Sequence, residues 1–122
     1  MTLEERLKSM TKRDRLEYAI KEALKVCGSE FKIKGTATDV SGIENITIIS
    51  LKGYDSDGNE LDDSNLELCA SASFEVAANL IIKVNENDYQ SIFYKCISSK
   101  FIKVEYSNEK YSGEIDKHIS VK

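Results

Sequence analysis

The first quarter of the chain has the apolar periodicity of an amphipathic helix. Apolar side chains recur three or four residues apart, which places them on one helical face. The members of this face are Leu16, Ile20, Ala23, Leu24 and Cys27. Thr11 and Asp14 form a capping box that begins the helix, and Gly28 stands where helices commonly end. A second capping box, at Thr2, predicts that residues 1–10 form a separate short helix or a mobile arm.

After Gly28 the period changes from that of a helix to that of a strand. Residues 31–38 alternate apolar and polar side chains, which predicts a half-buried strand. Ser41 and Gly42 predict a turn, followed by a second, antiparallel strand over residues 43–54, which is rich in β-branched residues. Residues 55–59 carry the Asp, Gly and Asn typical of turns. Alternating apolar residues at 66–70 then predict a third strand.

The second half of the chain mixes the two periods. Residues 71–84 fit a helix or a buried strand, and periodicity alone leaves that choice open. Tyr89, Ile92, Phe93, Cys96 and Ile97 have helical spacing, which predicts a second helix near residues 88–99. Residues 101–106 and 111–115 read as a C-terminal hairpin. We therefore predict one α+β domain over residues 1–122, with an N-terminal amphipathic helix packed on a mostly antiparallel β-sheet of about five strands.

The composition restricts the class of protein to which this chain can belong. A chain of 122 residues with 41% apolar residues can bury a core without metal or disulfide bonds. No apolar run approaches the roughly 20 residues that span a bilayer, and the first residues lack the layout of a secretion signal. We therefore expect a soluble, cytoplasmic protein with no membrane partner. Cys27, Cys69 and Cys96 are odd in number and far apart, which predicts three reduced thiols that pack as small apolar side chains.

Charge is segregated along the sequence. Residues 35–92 carry eleven acidic side chains against only Lys52 and Lys83, whereas the segments on both sides are net basic. The densest acidic group lies at the tip of the predicted hairpin and consists of Asp55, Asp57, Glu60, Asp62 and Asp63. Such a cluster repels nucleic acid and attracts basic protein surfaces. The alternative is that these carboxylates are simply solvated, as most charge runs are.

The acidic group resembles a calcium loop only at its start. Asp55, Asp57 and Asn59 occupy alternate positions, like the first three ligands of a helix–loop–helix calcium site. Gly58 comes too early for the glycine of that motif, and Leu66 stands where its bidentate glutamate belongs. We therefore predict no metal site, with an irregular calcium site as the alternative.

No motif in the sequence indicates catalysis. The glycines are spread singly, no zinc ligand set exists, and the chain has a single histidine, His118. Carboxylates are concentrated where water should surround them, which does not suit general acid or base chemistry. The basic residues near the N-terminus are interspersed with carboxylates, and the pI of about 5.1 disfavours direct nucleic-acid binding. We predict a protein that is not an enzyme and needs no cofactor.

Two classes of binding function remain, beside a third outcome, a structural subunit with no separable activity. The first is a stoichiometric inhibitor or immunity-type factor whose acidic group binds a basic protein surface. A bacterial or phage origin fits the excess of Lys over Arg and the abundance of Ile, Asn and Ser. The second is a small-molecule or nucleotide binding domain. Its ligand would lie between the N-terminal helix and the sheet, or at the C-terminal hairpin. Four tyrosines cluster near that hairpin in the sequence: Tyr89, Tyr94, Tyr106 and Tyr111. The sequence leaves the partner and the oligomeric state open.

Overall fold

The computed structural model describes Thr2, Glu5 and residues 10–122. One long helix packs on a curled, seven-stranded, mostly antiparallel sheet, which confirms the predicted α+β class with more strands than the five expected. The helix and strands are α1 (Lys12–Val26), β1 (Lys32–Ile33), β2 (Val40–Tyr54), β3 (Glu60–Leu61), β4 (Ser71–Asn85), β5 (Asp88–Ser107), β6 (Lys110–Ile115) and β7 (His118–Val121). Short 3-10 helices occupy Gly28–Glu30 and Asp63–Leu68.

Helix α1 begins and ends where the sequence predicts. The Thr11 hydroxyl accepts a hydrogen bond from the Asp14 amide at 3.1 Å, which satisfies an amide that has no partner within the helix. The predicted apolar face forms one side of the core: Leu16, Ile20 and Leu24 are fully buried, with Ala23 and Cys27 packed beside them. Of the short helix predicted within residues 1–10, only Thr2, Glu5 and residue 10 are described, and the Glu5 amide donates to the Thr2 hydroxyl at 3.2 Å.

Gly28 follows the end of the helix, as predicted. Its backbone is not left-handed, and it instead starts the 3-10 turn Gly28–Glu30. A Cβ atom at Gly28 would lie 3.1 Å from the Gly42 Cα, so a glycine here allows β2 to pass close to the end of the helix.

The sheet is built around the long neighbours β4 and β5. Its strand order is β1-β7-β5-β4-β2-β3, and β6 also pairs with β5. Strands β6 and β7 follow one another along the same side of β5, opposite residues 101–107 and 97–98 respectively. Only β1 runs parallel to its neighbour, β7, and the Lys32 amide donates to the Lys117 carbonyl at 2.7 Å. The sheet therefore brings residues 32–33 beside residues 118–119.

The first predicted strand, over residues 31–38, is much shorter in the structure than its alternating pattern indicates. Only Lys32–Ile33 is strand, and its partner is β7 rather than β2. Gly35 has a φ of +78°, and the Thr36 amide and hydroxyl both donate to the Ile33 carbonyl at 3.2 Å. This local turn stops the strand. The turn predicted at residues 41–42 is also wrong, because both residues lie within β2.

The predicted third strand is a 3-10 helix. Only Glu60–Leu61 forms a strand after the turn at residues 55–59, and Asp63–Leu68 is helical. The Asp62 carboxylate accepts hydrogen bonds from the Ser64 hydroxyl and the Asn65 side-chain amide, at 2.7 and 2.8 Å. These short-range bonds favour a helical turn over an extended chain.

The second predicted helix, near residues 88–99, is part of the 20-residue strand β5. Residues 71–84, which the sequence left open, belong to strand β4, whose alternate residues from Ala72 to Ile82 are buried. A two-residue turn at residues 86–87 joins the two strands, and residues 89–94 pair regularly with residues 78–83. The helical spacing of residues 89–97 was misleading because apolar side chains occupy both faces of β5.

Strand β5 bends where β6 joins it. Lys103 has a φ of 51°, and the register between β5 and β6 shifts between Ile102 and Glu105, as in a β-bulge. A Cβ atom at Gly113 would lie 2.7 Å from the Lys103 carbonyl oxygen, so the glycine lets β6 follow the bend. This bend brings the predicted C-terminal hairpin, which is confirmed, against helix α1.

Candidate functional site

A groove of about 660 Å³ separates helix α1 from strand β6. We call it the α1–β6 groove. Apolar side chains line much of it, with Ala19, Ala23 and Val26 on the helix and Phe101 and Ile115 on the sheet. Val26 is 80% exposed at its rim. Such a mainly apolar concavity with a few polar groups is typical of small-molecule sites.

One end of the groove holds an arginine and two tyrosines. The Arg15 Nη1 donates to the Tyr106 hydroxyl at 2.8 Å, and the rings of Tyr106 and Tyr111 have centroids 4.8 Å apart. Arg15 and Tyr111 both line the groove. The predicted tyrosine cluster is thus present in part, because Tyr89 and Tyr94 lie away from it, on the part of β5 that pairs with residues 78–83.

Two buried polar atoms at this end have no hydrogen-bond partner among the described residues. They are the Arg15 Nε and the Tyr111 hydroxyl. The Glu67 Oε2 is a third buried atom without a hydrogen bond, and its carboxylate acts on Tyr111 and lies 2.7 Å from the Lys12 Nζ. Tyr111 is only 6% exposed, and burial, followed by the nearby Glu67 carboxylate, raises the pKa of its phenol well above the usual range. The phenol therefore remains a neutral donor at physiological pH. Because buried polar atoms are nearly always bonded, these two donors are the polar groups of the groove that have hydrogen-bonding capacity to spare.

The other end of the groove is closed by an ion pair and a thiol. The Lys117 Nζ donates to the Glu30 Oε1 at 2.9 Å, and Cys27 lines the groove beside them. Burial, and next to it the Glu30 carboxylate, raises the pKa of the Cys27 thiol. At neutral pH this thiol stays protonated, so it contributes apolar surface and not a nucleophile.

The five predicted partner-binding carboxylates lie in residues 55–63, a segment that we call the acidic loop. Asp55 and Asp57 are in the turn after β2, Glu60 is in β3, Asp62 follows β3 and Asp63 begins the 3-10 helix. Asp55 organises the turn: its Oδ1 accepts from the Asp57 and Asn59 amides, both at 2.9 Å. Asp62 accepts from Ser64 and Asn65, and the Ser64 hydroxyl is the main cause that lowers the pKa of its carboxyl. The loop is therefore held in shape by two of its own carboxylates.

Basic side chains partly neutralise this loop. The Arg13 Nη1 lies 3.5 Å from the Asp63 Oδ1, and the Lys52 Nζ lies 3.8 Å from the Glu60 Oε1. Lys12 at the start of α1 also contacts the Glu67 Oε2 at 2.7 Å and donates to the Ser64 carbonyl. The negative potential at the loop is consequently weaker than the sequence alone predicts.

Among the residues described, no three His, Cys, Asp or Glu side chains converge in a way that could hold a metal ion. Asp55, whose spacing with Asp57 and Asn59 resembles the start of a calcium loop, uses its Oδ1 to accept the backbone amides of those two residues. Within the same part of the chain, no helix has the length and apolar character that crossing a bilayer requires.

The sequence analysis considered a ligand between the N-terminal helix and the sheet or at the C-terminal hairpin, but it did not identify most of the residues that line this groove. Residues such as Tyr18 and Val26 lie at the edge of the helical face, and no sequence pattern shows that β6 lies opposite them. A second hollow, of about 410 Å³, is lined mainly by serine and lysine side chains and offers less apolar surface. Comparisons with protein-family models, with curated proteins and with solved structures gave no match.

Proposed function

We propose that this protein acts by stoichiometric binding, and that its main site is the α1–β6 groove. The ligand we propose is a small amphipathic molecule that has an apolar body and an anionic acceptor group. The apolar body would lie against Ala19, Ala23 and Val26, and the acceptor would bind the Arg15 Nε and the Tyr111 hydroxyl. The observation that carries this proposal is the pair of buried donors without partners in one apolar groove.

Several features support binding without turnover. The groove volume lies within the roughly 300–1,000 Å³ usual for small-molecule pockets. The thiol in the groove has a raised pKa, and His118 pairs with Asp116 outside the groove, at 3.6 Å. A ligand acceptor would relieve the cost of two unbonded polar atoms, so binding and stability would be linked.

Titration with carboxylate probes followed by NMR tests the groove. We expect indole-3-acetate and octanoate to shift the amide signals of residues 15–27 and 110–115, and their neutral amide analogues to bind more weakly. Ala23→Leu fills the groove and should weaken binding of both carboxylates by at least about tenfold, equivalent to 1.4 kcal/mol.

The matched control is Ala37→Leu, the same substitution at an exposed loop residue that does not line the groove. It should leave the affinity unchanged. Equal weakening by both variants, or signal changes confined to residues outside the groove, would contradict the assignment of the site.

A second candidate function is supported by the shape of the acidic loop. Hydrogen bonds to Asp55 and Asp62 fix the loop before any partner arrives, which lowers the entropy cost of binding. Asp57, Glu60, Asp62 and Asp63 stay exposed on it. We propose that a protein with a basic surface, as for an inhibitor or immunity-type factor, would bind here.

The test of this second candidate removes charge without disturbing the loop. Asp57→Asn with Glu60→Gln should abolish capture of basic proteins from a cell lysate and leave the melting temperature nearly unchanged, because exposed charges contribute little to stability. Glu105→Gln with Glu109→Gln removes the same charge from the C-terminal hairpin and should capture the same proteins as the native chain. If the two double variants behave alike, the acidic loop is not the binding surface.

A further inference from the structure

The first part of β5 is an uncovered edge of the sheet. Residues 88–95 pair with β4 on one side only, whereas β7 and β6 cover the later part of the strand from Ile97 onward. The Cys96 carbonyl already accepts from the Lys122 amide at 3.0 Å, so the free edge ends there. Among the described residues, none pairs with the outer side of residues 88–95.

This edge has few of the features that normally prevent edge-to-edge association. Tyr89, Ile92 and Phe93 are 53%, 37% and 56% exposed. Residues 89–94 pair regularly with β4, with register shifts only on either side of them, and contain neither proline nor a charged residue. Natural edge strands are usually interrupted by lysine, proline or a bulge, and a regular apolar edge pairs with other strands.

We propose that this edge binds the same edge of a second copy of the chain, in an antiparallel arrangement around a two-fold axis at Ser91. Tyr89, Ser91 and Phe93 share one face of the strand because side chains alternate. An axis at Ser91 sets Tyr89 of one copy opposite Phe93 of the other, twice. Aromatic pairs directly opposite each other stabilise antiparallel strands.

Charge also selects a second copy in this orientation. The edge carries Asp88, preceded by Glu86, at one end and Lys95 at the other. Antiparallel association places the acidic end of each copy next to the basic end of its partner, whereas parallel association would place like charges together. An edge whose own sequence is complementary to itself in this way favours self-association over an unrelated strand.

Sedimentation velocity over a wide range of protein concentration tests the dimer. We expect the native chain to dimerise reversibly, and Tyr89→Lys with Phe93→Lys to weaken the dimer at least about tenfold. The control, Ile49→Lys with Leu68→Lys, places the same charges on two exposed apolar positions elsewhere and should dimerise like the native chain. Circular dichroism checks that both variants are folded.

Cross-linking tests the register. Cβ atoms of residues opposite each other lie about 4.5–5.5 Å apart, close to disulfide geometry, so Ser91→Cys should form a covalent dimer under mild oxidation. Ser56→Cys, on the exposed loop after β2, should not exceed the background set by the native cysteines.

The proposal would be overturned if the native chain stayed monomeric at every concentration. This holds even if the edge then proved to bind a peptide from another protein. A dimer that survives the β5 substitutions, or a Ser91→Cys variant that cross-links no better than Ser56→Cys, would also overturn it. None of these outcomes depends on the α1–β6 groove being a ligand site.

Discussion

Tyr111 shows at the scale of one residue how stability and binding can oppose each other. Its hydroxyl is buried without a partner among the described residues, and a buried unbonded polar group costs about 1–3 kcal/mol. We therefore expect Tyr111→Phe to raise the free energy of unfolding by about 1 kcal/mol in urea denaturation. The same variant should lose the preference for carboxylate probes over their amides.

Tyr106→Phe is the matched control, because it removes a hydroxyl that does accept a hydrogen bond, from Arg15 at 2.8 Å. This variant should not raise the free energy of unfolding. A loss of stability in Tyr111→Phe would mean that the hydroxyl is already bonded in the free protein, and it would remove the main support for a ligand acceptor at this position.

At the scale of one element, helix α1 stabilises the fold through its buried face. Leu24 is fully buried between the helix and the sheet, so Leu24→Ala should lower the free energy of unfolding by about 2–5 kcal/mol. The neighbouring Lys25→Ala removes only an exposed side chain and its 3.5 Å contact with Glu22, and should cost less than about 0.5 kcal/mol. Similar values for the two variants in urea denaturation would show that this face of α1 is not part of the core.

At the scale of the whole molecule, the elements that could be predicted from sequence are those fixed by local chemistry. The Thr11 cap, the apolar face of α1, the turn at residues 55–59 and the C-terminal hairpin each depend on residues close together in the chain. Strand β5 could not be identified, since it carries Ile92 on one face and Tyr89 and Phe93 on the other, which hides a period of two. Its strand conformation is set by pairing with β4.

In the candidate sites, too, only the features that depend on residues close together in the chain could be predicted. The exposed carboxylates of the acidic loop were predicted, because a turn rich in Asp needs no distant partner to be recognised. Their neutralisation by Arg13 was not, since that contact joins residues 50 positions apart. The α1–β6 groove depends on Arg15 lying near Tyr106 and Tyr111, a separation of 91 positions for the hydrogen-bonded pair, and only the folded chain brings them together.

The parallel pairing of β1 with β7 sets an order of events during translation. Lys32 and Ile33 can find His118 and Ile119 only after the intervening chain has been made, roughly 4–17 seconds later at 5–20 residues per second. Helix α1 contacts chiefly β6, β2 and the 3-10 helix Asp63–Leu68, which all precede β7 in the chain, so its apolar face can pack before this last pairing forms. Final closure of the sheet therefore comes only as synthesis reaches the last strand.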